Sequence, residues 1–386
     1  MTDFDDIRPY HDAEVRPALD RILNDPELAD AVARLKFPRL AGPLGFIIRP
    51  MVSRAMKRQL ACVDTVDKFQ QEVVEKYLRH MIETTTTKLT TSGLDQLDSD
   101  GGYLFVSNHR DIAVDPAFVN WSIYYAGFKT LRIAIGDNLL TKPYVSDLMR
   151  LNKSFIVNRS AKAPREKLKA AKKLSAYIHH SLTVDRANIW IAQREGRAKD
   201  GKDLTNSAVI GMLTLNRPKT QDFSEYVRSL KIVPVSISYE QDPCDSAKAH
   251  ELYAQRTTGS YEKGDQEDIQ SIAKGIAGQK GNVHVAFGTP LSGEYEDNVA
   301  VAAEIDRQIW SQYVLHPSNC FAYDALGNEA RSLPYSAQGL PFEPGNLREE
   351  RAAFDLHVAS IPTEQREILL EMYANPVHSK LNARQN

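Results

Sequence analysis

The stretch YLFVSNHRDIAVDP, residues 103–116, is the part of the chain from which fold and chemistry can best be predicted. An apolar run with strand character comes first, and Asn108 and His109 follow where that strand would end. Strand ends are where an α/β protein places its reactive side chains. A histidine beside a carboxylate, here Asp111 or Asp115, can activate a hydroxyl as a nucleophile. The plainer alternatives are a surface histidine beside a solvated aspartate, or an Asp111 that caps the following helix.

The composition is that of an ordinary globular chain of 386 residues, of which 42% are hydrophobic and 25% are charged. The net charge of −2 gives no reason to expect nucleic acid as a partner. Three scattered cysteines fit neither a disulfide framework nor a zinc site, and they suit a reducing cytosol. No apolar stretch approaches the roughly 18–20 residues that span a bilayer, and the acidic N-terminus lacks the character of a signal peptide. We therefore expect a protein of the cytoplasm, either free or bound peripherally to a membrane.

Strand-like and helix-like runs alternate between residues 83 and 290, and this alternation predicts the fold class. It indicates an α/β domain over 83–290 with a mostly parallel central sheet flanked by helices. Residues 1–82 and 291–386 are predicted to be helical N- and C-terminal extensions, with a loop from Pro317 to Asn346 and a helical stretch over 349–373. The predicted strands cover residues 103–107, 130–135, 154–158, 187–193, 231–238 and 283–287.

Three later segments carry residues suited to a phosphate or to the wall of a site. The strand SFIVN at 154–158 ends at Arg159, whose guanidinium can hold a phosphate through two parallel hydrogen bonds. The segment WIAQREGRAKDGK at 190–202 runs from an apolar strand into a turn with two glycines and several basic residues. Glycine permits close backbone approach, and the cations attract a phosphate. The segment IVPVSISY at 232–239 predicts a core strand. Taken singly, each segment also fits an ordinary surface or core role.

In this order, the four segments resemble those of the glycerolipid acyltransferases, which include glycerol-3-phosphate and lysophosphatidate acyltransferases. The resemblance covers residues 85–290 and includes the linking stretch IGDNLL at 135–140. It implies transfer of a fatty acyl group from a carrier thioester to a glycerol hydroxyl, with His109 as the general base and an aspartate orienting it. The residues that it assigns to the acceptor's phosphate are Arg159, Glu195, Gly196 and Arg197, beside which the same turn offers Lys199.

Two departures of one residue each separate the chain from the family pattern. The family has four residues between its His and its Asp, a spacing that ends here at Val114, so Asp115 comes one place late and Asp111 comes early. The third block usually has Arg three residues after Glu, whereas Arg197 is two residues after Glu195. We expect Asp115 to orient the histidine, with Asp111 as the alternative.

Charge is unevenly distributed, and two basic segments indicate anionic partners. Residues 1–30 carry nine acidic and three basic groups, whereas residues 31–60 carry seven basic groups and no acidic one. Because apolar residues recur at helical spacing within 31–60, we expect a basic amphipathic helix that lies on an anionic membrane surface or packs on the main domain. The run at 160–180 carries six basic residues against one acidic residue, Glu166. It can dock acyl carrier protein, coenzyme A or anionic lipid, or it can simply face solvent.

We therefore predict an O-acyltransferase of phospholipid biosynthesis that moves a fatty acyl group from acyl-CoA or acyl carrier protein to glycerol-3-phosphate or 1-acylglycerol-3-phosphate. No metal or cofactor is expected, because a base and electrostatics suffice for this chemistry. The resemblance further implies a peripheral protein on the inner face of the cell membrane. The alternatives are acylation of another polar lipid and a catalytically silent lipid-binding module of the same fold. The sequence leaves open the acceptor, the donor, the acyl chain length and the oligomeric state.

Overall fold

A computed structural model of the protein describes residues 4–37, 40, 42, 44–264, 266–327 and 347–385. Contacts group the chain into a larger unit, Leu78–Leu131 with Ile178–Asn386, and a smaller unit, Met1–Tyr77 with Arg132–Tyr177. These units interleave along the chain, whereas the predicted segments 1–82, 83–290 and 291–386 follow chain order. The division into three segments stays a prediction about domain organisation.

Strands and helices alternate through the middle of the chain, as expected. The described strands are β1 (Lys88–Ser92), β2 (Leu104–Ser107), β3 (Arg132–Gly136), β4 (Ser154–Val157), β5 (Ile189–Ala192), β6 (Ile232–Tyr239) and β7 (Asn282–Phe287). The described helices are α1 (Asp12–Asn24), α2 (Pro26–Lys36), α3 (Gly45–Gln59), α4 (Val66–Phe69), α5 (Lys76–Thr85), α6 (Val114–Tyr125), α7 (Pro143–Leu151), α8 (Pro164–Thr183), α9 (Ser207–Leu213), α10 (Phe223–Ser229), α11 (Asp245–Thr258), α12 (Glu267–Ala277), α13 (Asn298–Gln312), α14 (Pro317–Ala325), α15 (Leu347–Ser360) and α16 (Arg366–Gln385). A π-helical turn, Gln70–Glu75, joins α4 to α5. Within the described residues, no helix combines the length and the apolar character needed to cross a membrane.

The larger unit is built on five strands in the order β1-β7-β6-β2-β5. The pairs β1–β7, β6–β2 and β2–β5 are parallel, and the pair β6–β7 is antiparallel. Every residue of β2 is buried. The strand is covered on both faces of the sheet, which explains why its sequence is a continuous apolar run rather than an alternation of apolar and polar residues. The predicted α/β fold with a mostly parallel sheet flanked by helices is confirmed.

The parallel register brings the ends of neighbouring strands to one edge of this sheet. Ser107, the last residue of β2, lies opposite Ala192 of β5 and Val235 of β6. The segments that follow β2 and β5 therefore leave the sheet side by side. His109 lies in the first of these segments, and the turn at 193–203 lies in the second.

Strand β1 was not predicted, because its sequence KLTTS has no apolar run. Thr90 and Ser92 instead place their hydroxyls 2.7 and 2.9 Å from the two ring nitrogens of His284 on β7. The strand is held by backbone pairing with β7 and by this polar contact. Neither feature produces a hydrophobic period in the sequence.

The smaller unit combines helices α1 and α7 with the parallel pair β3–β4. Leu19 of α1 and Leu151 of α7 belong to one buried apolar cluster. Asp147 of α7 accepts hydrogen bonds from Tyr10 at 2.6 Å and from Arg21 at 2.8 Å. The apolar cluster and this polar contact join the N-terminal helices to the segment at 132–177.

The helical C-terminal extension is confirmed, but the predicted loop from Pro317 to Asn346 is wrong at its start. Helix α14 occupies Pro317–Ala325, and the rest of that prediction from residue 328 lies outside the described residues. Pro317 stands in the first turn, where its missing N–H costs nothing, and His316 and Asn319 form a capping box.

The predicted helical stretch over 349–373 is divided in two. Helix α15 ends at Ser360, and α16 begins at Arg366 after a short 3-10 turn. The break comes at Pro362, because proline disfavours helical geometry in the residue before it.

Candidate active site

His109 and Asp115 form a hydrogen-bonded pair at the end of β2. His109 Nδ1 lies 2.9 Å from Asp115 Oδ2, and the carboxylate is fully buried while the imidazole keeps 13% exposure. Because a carboxylate only accepts hydrogen bonds, the neutral ring carries its proton on Nδ1 and has a lone pair on Nε2. Across the described chain, no residue hydrogen-bonds to Nε2.

Four donors hold the Asp115 carboxylate in place. Besides the imidazole, Oδ2 accepts the backbone N–H groups of Arg110 at 2.6 Å and Asp111 at 2.9 Å. Oδ1 accepts the Tyr239 hydroxyl at 2.5 Å. A buried carboxylate needs such partners, since desolvation without them is costly. These bonds orient the carboxylate, and through it the imidazole.

The Asp111 carboxylate does not contact the His109 imidazole but the backbone at the start of α6. Its Oδ1 accepts the backbone N–H groups of Ala113 at 2.9 Å and Val114 at 3.0 Å, which forms the turn that starts α6. Burial, and then the nearby charge of Asp115, raise the pKa of Asp111. This turn takes up the extra residue between His109 and Asp115. As a result, Asp115 lies in the first turn of α6 and its carboxylate reaches the His109 imidazole. Asp115 is therefore the carboxylate on the ring, whereas Asp111 accepts the N–H groups of Ala113, the N-cap residue of α6, and of Val114, its first residue.

The neighbours of His109 in the chain anchor it to the sheet. Asn108 exchanges two hydrogen bonds with the backbone of Ile237 on β6, at 2.9 and 2.7 Å. Arg110 turns inward and forms a buried ion pair with Asp203, with 2.6 Å between Nη2 and Oδ2. Trp190 of β5 packs edge-to-face on the imidazole, with 5.7 Å between ring centroids. The imidazole is thus held by packing as well as by Asp115.

The turn after β5 is hydrogen-bonded to the backbone of His109. Ala198 N–H donates to the His109 carbonyl at 2.7 Å. Gly196 has a φ of +72°, a conformation that glycine adopts without steric cost. Apart from its two chain neighbours, no described residue places a heavy atom within 4 Å of where a Cβ would lie. Arg197 is partly buried, with Nη2 3.4 Å from Ser271 Oγ. The turn therefore carries Gly196 and Arg197 alongside the segment that holds the imidazole.

Glu195 and Lys199 of the same turn differ in exposure. Glu195 is exposed, whereas Lys199 keeps only 16% exposure and is ion-paired with Glu251 of α11. Burial lowers the pKa of Lys199, and Glu251 opposes that shift. A phosphate at Lys199 would compete with Glu251 for the ammonium.

Arg159 belongs to the smaller unit, where it follows β4. Its backbone N–H donates to Asp137 Oδ1 at 3.0 Å, and Asp137 lies in the stretch IGDNLL. Gly136 of that stretch leaves room for the arginine, since a Cβ there would lie 3.0 Å from Arg159 Cδ. Of the predicted site residues, Arg159 lies in this unit and the others lie in the larger one.

Three residues around the pair were not predicted to belong to a site: Trp190, Asp203 and Tyr239. Their contacts depend on how β2 lies against β5 and β6, and spacing along the chain does not give that register. For Trp190 and Tyr239, the sequence did contain one indication of a role at the site. An aromatic ring with a polar atom, placed in an apolar strand, needs a hydrogen-bond partner once it is buried.

The arrangement at His109 is suited to proton transfer. Nε2 can remove a proton from a hydroxyl, and Asp115 stabilises the imidazolium that forms. Among the residues that the structure describes, no group of three or more His, Cys, Asp or Glu side chains is placed to hold a metal ion.

In a comparison with protein families, residues 88–238 fit the family model described as Acyltransferase. Among solved structures, the chain is similar to the 1-acyl-sn-glycerophosphate (LPA) acyltransferase PlsC from Thermotoga maritima. The two share 13% identity over 74% of this chain and 95% of that chain, with a TM-score of 0.35. Comparison with curated proteins gives no match. The family match confirms the resemblance predicted from the four segments.

Proposed function

We propose, on the premise that the chain belongs to the acyltransferase family through residues 88–238, that it acylates a hydroxyl of a phosphorylated glycerol or a lysophospholipid. The observation that carries the proposal is the pairing of His109 Nδ1 with the buried Asp115 at 2.9 Å. That pairing directs the lone pair of Nε2 to a substrate proton.

In the proposed reaction, the acceptor hydroxyl gives its proton to His109 Nε2 while its oxygen attacks the carbonyl carbon of an acyl thioester. A C–O bond forms, and collapse of the tetrahedral intermediate breaks the C–S bond. The imidazolium, stabilised by Asp115, then returns the proton to the leaving thiolate. The products are an ester and a free thiol. A base of this kind contributes about 10²–10⁴-fold to the rate.

The phosphate of the proposed acceptor is assigned to the turn after β5. Arg197 supplies the guanidinium, and Gly196 permits a phosphate to approach the backbone. Arg159 and Glu195 enter the proposal through the family resemblance. Lys199 is a weaker candidate, because it already pairs with Glu251.

The acceptor itself is proposed at the level of its class. Glycerol-3-phosphate and 1-acylglycerol-3-phosphate share a glycerol hydroxyl and a phosphate, and the site needs only these two groups. Another polar lipid with a hydroxyl and an anionic head meets the same requirement.

We assign donor docking to the basic face of α8. Acyl-CoA and acyl carrier protein are both anionic, and the N-terminal half of α8 exposes the basic side chains Arg165, Lys167, Lys169 and Lys172. Lys173 of the same helix is ion-paired with Asp6. If this face docks the donor, the donor KM rises with salt concentration while the acceptor KM changes less.

We assign contact with an anionic membrane to α3. This helix exposes Phe46, Ile47 and Met51 by 74%, 55% and 50%, while Ile48 and Val52 are buried. Its exposed basic side chains are Arg49, Arg54, Lys57 and Arg58. Within the predicted basic segment, Arg39 and the side chain of Lys36 lie outside the described residues. Exposed apolar side chains beside basic ones suit a protein that lies on a membrane, at the inner face of the cell membrane as proposed from the family.

The experiment that tests this function is an acceptor panel with the purified chain and one long-chain acyl group. The acyl group is offered both as the CoA thioester and as the carrier-protein thioester, and the release of free thiol is followed for each acceptor. Acceptor-dependent thiol release that His109→Ala abolishes supports the proposal. Absence of thiol release by the wild type with every acceptor and both donors would favour the silent lipid-binding module.

A further inference from the structure

Tyr239, the last residue of β6, contacts the side of Asp115 that faces away from the imidazole. Its hydroxyl donates to Asp115 Oδ1 at 2.5 Å, while Oδ2 takes the imidazole and two backbone N–H groups. Tyr239 is 7% exposed, and its ring packs on Phe118 with 5.8 Å between centroids. Tyr239, Asp115 and His109 therefore form a hydrogen-bonded chain of three side chains.

The phenol has two effects on the carboxylate that it contacts. By donating a strong hydrogen bond it draws charge from the carboxylate, which weakens the attraction between Asp115 and an imidazolium. By occupying Oδ1 it also stops the carboxylate from rotating and so fixes the direction of Oδ2. Burial, and then the charge of Asp115, raise the pKa of Tyr239 well above its ordinary value, so the phenol keeps the proton that it donates.

We propose that Tyr239 is a positioning residue for acyl transfer, acting through Asp115 to set both the orientation and the proton affinity of the His109 imidazole. This inference rests on the proposed function, and it adds a residue that the family pattern in the sequence did not assign. The other charged groups near the phenol are Asp111 before α6, Asp242 after β6, which is ion-paired with Lys248, and Arg110, which lines the same cavity as Tyr239 and Asp242. None of these groups is substituted in the variants described below, and Tyr373→Phe additionally removes the hydroxyl that accepts the Asp242 N–H at 3.0 Å.

The variant Tyr239→Phe keeps the ring and removes the hydroxyl. Asp115 then holds the imidazolium more tightly, so the neutral ring that acts as a base is reached only at higher pH. We expect the acid limb of the kcat profile to move up by about 0.5–1 pH unit. At the optimum, kcat should fall about tenfold, and the acceptor KM should stay within about twofold because Tyr239 contacts no substrate group.

Tyr373→Phe is the matched control. Tyr373 is also a buried phenol of the larger unit, and it donates to another buried carboxylate, Asp245, at 2.9 Å. Its removal should lower stability in a similar way without moving the acid limb. An acid limb unchanged in Tyr239→Phe, or moved equally in Tyr373→Phe, would overturn the inference.

A second readout needs no acyl donor and so separates this inference from the proposed function. Diethyl pyrocarbonate modifies neutral imidazole, and the modification of the His109 peptide can be followed by mass spectrometry as a function of pH. Its midpoint should move up in Tyr239→Phe and stay in place in Tyr373→Phe. A wild type that transfers no acyl group but shows this shift would reject the proposed function and keep Tyr239 as a residue that positions His109.

Site-specific replacement of Tyr239 by 3,5-difluorotyrosine keeps the test decisive should Tyr239→Phe fail to fold. The fluorinated phenol is more acidic and donates a stronger hydrogen bond, so the midpoint of the modification should move to lower pH. A midpoint that stays in place or moves up would contradict the inference.

Discussion

Asp115 follows His109 by six residues, one more than the family pattern, yet its Oδ2 lies 2.9 Å from the imidazole Nδ1. The additional residue is taken up by a turn in which Asp111 accepts the N–H groups of Ala113 and Val114. The late aspartate is therefore no obstacle to the proposed acyl transfer. Because Asp115 bonds the imidazole and Asp111 bonds only backbone N–H groups, substitutions of the two residues should affect activity differently.

The first prediction compares Asp115→Asn with Asp111→Asn. The amide at 115 cannot stabilise an imidazolium, so we expect kcat to fall about 10²–10⁴-fold. The amide oxygen at 111 can still accept the N–H groups of Ala113 and Val114, so kcat should stay within about threefold of wild type. Steady-state rates of the two purified variants with one acceptor measure the difference. Wild-type activity in Asp115→Asn would remove the assignment.

The second prediction concerns the acceptor's phosphate. In Arg197→Ala the loss of a charge-assisted hydrogen bond should raise the acceptor KM about 10–100-fold and leave the donor KM nearly unchanged. Lys219→Ala, which removes an exposed cation elsewhere in the larger unit, is the control and should change neither constant. An unchanged acceptor KM in Arg197→Ala, or an equal rise in the donor KM, would count against a phosphate at this turn.

The third prediction concerns α3 and membranes. The double variant Phe46→Ser with Ile47→Ser should bind vesicles containing anionic lipid at least about tenfold more weakly, because two exposed apolar side chains no longer enter the interface. Leu356→Ser, which changes an apolar side chain of α15 that is 74% exposed, is the control. Co-sedimentation with vesicles at low and high salt measures both effects. Equal binding of the double variant and the wild type would exclude α3 as the contact.

The fourth prediction is a loss of stability in acid, caused by two buried histidines. Burial lowers the pKa of His284 to about 4 and that of His316 to about 3, from an ordinary value of 6.5. Below pH 6.5 the unfolded chain binds protons that the folded chain does not. The contribution of these two histidines to stability is therefore complete above pH 6.5 and is lost as the pH drops towards 4. At pH 5 each histidine should cost about 2 kcal/mol, which urea unfolding at pH 7.5 and pH 5 can measure.

The variant His284→Gln tests the origin of that loss. It removes one of the two titrating rings, so the difference in unfolding free energy between pH 7.5 and pH 5 should shrink relative to wild type. His80→Gln, at an exposed position of α5, should leave the difference unchanged. The same difference in His284→Gln as in the wild type would show that other groups cause the acid sensitivity.

Much of the fold could be predicted because its strands are apolar. Strands β2 to β7 carry apolar residues that must be buried, and each is separated from the next by at least one helix. Strand β1 could not be predicted, since Thr90 and Ser92 are held by His284, almost two hundred positions away. Helix α14 was missed because Pro317, taken as a loop residue, occupies the one part of a helix that favours proline.

The candidate site could be predicted where it depends on local spacing. His109 and its two neighbouring carboxylates lie within one short segment, so local chemistry was enough to select them. Tyr239 and Asp203 reach this segment only through the register of the sheet and the path of the turn after β5, which no local pattern encodes. The ion pair between Lys199 and Glu251 depends on where α11 packs against the turn after β5, which local sequence does not encode either.

In the proposed reaction, His109 deprotonates the acceptor hydroxyl as the acyl group leaves its thioester. The most direct measurement is the rate of ester formation and of thiol release when a long-chain acyl-CoA or acyl carrier protein is mixed with glycerol-3-phosphate or lysophosphatidate. We expect one thiol per ester from the wild type, and both rates should be lower by at least about 100-fold in His109→Ala. Equal rates in the two proteins would contradict this role of His109.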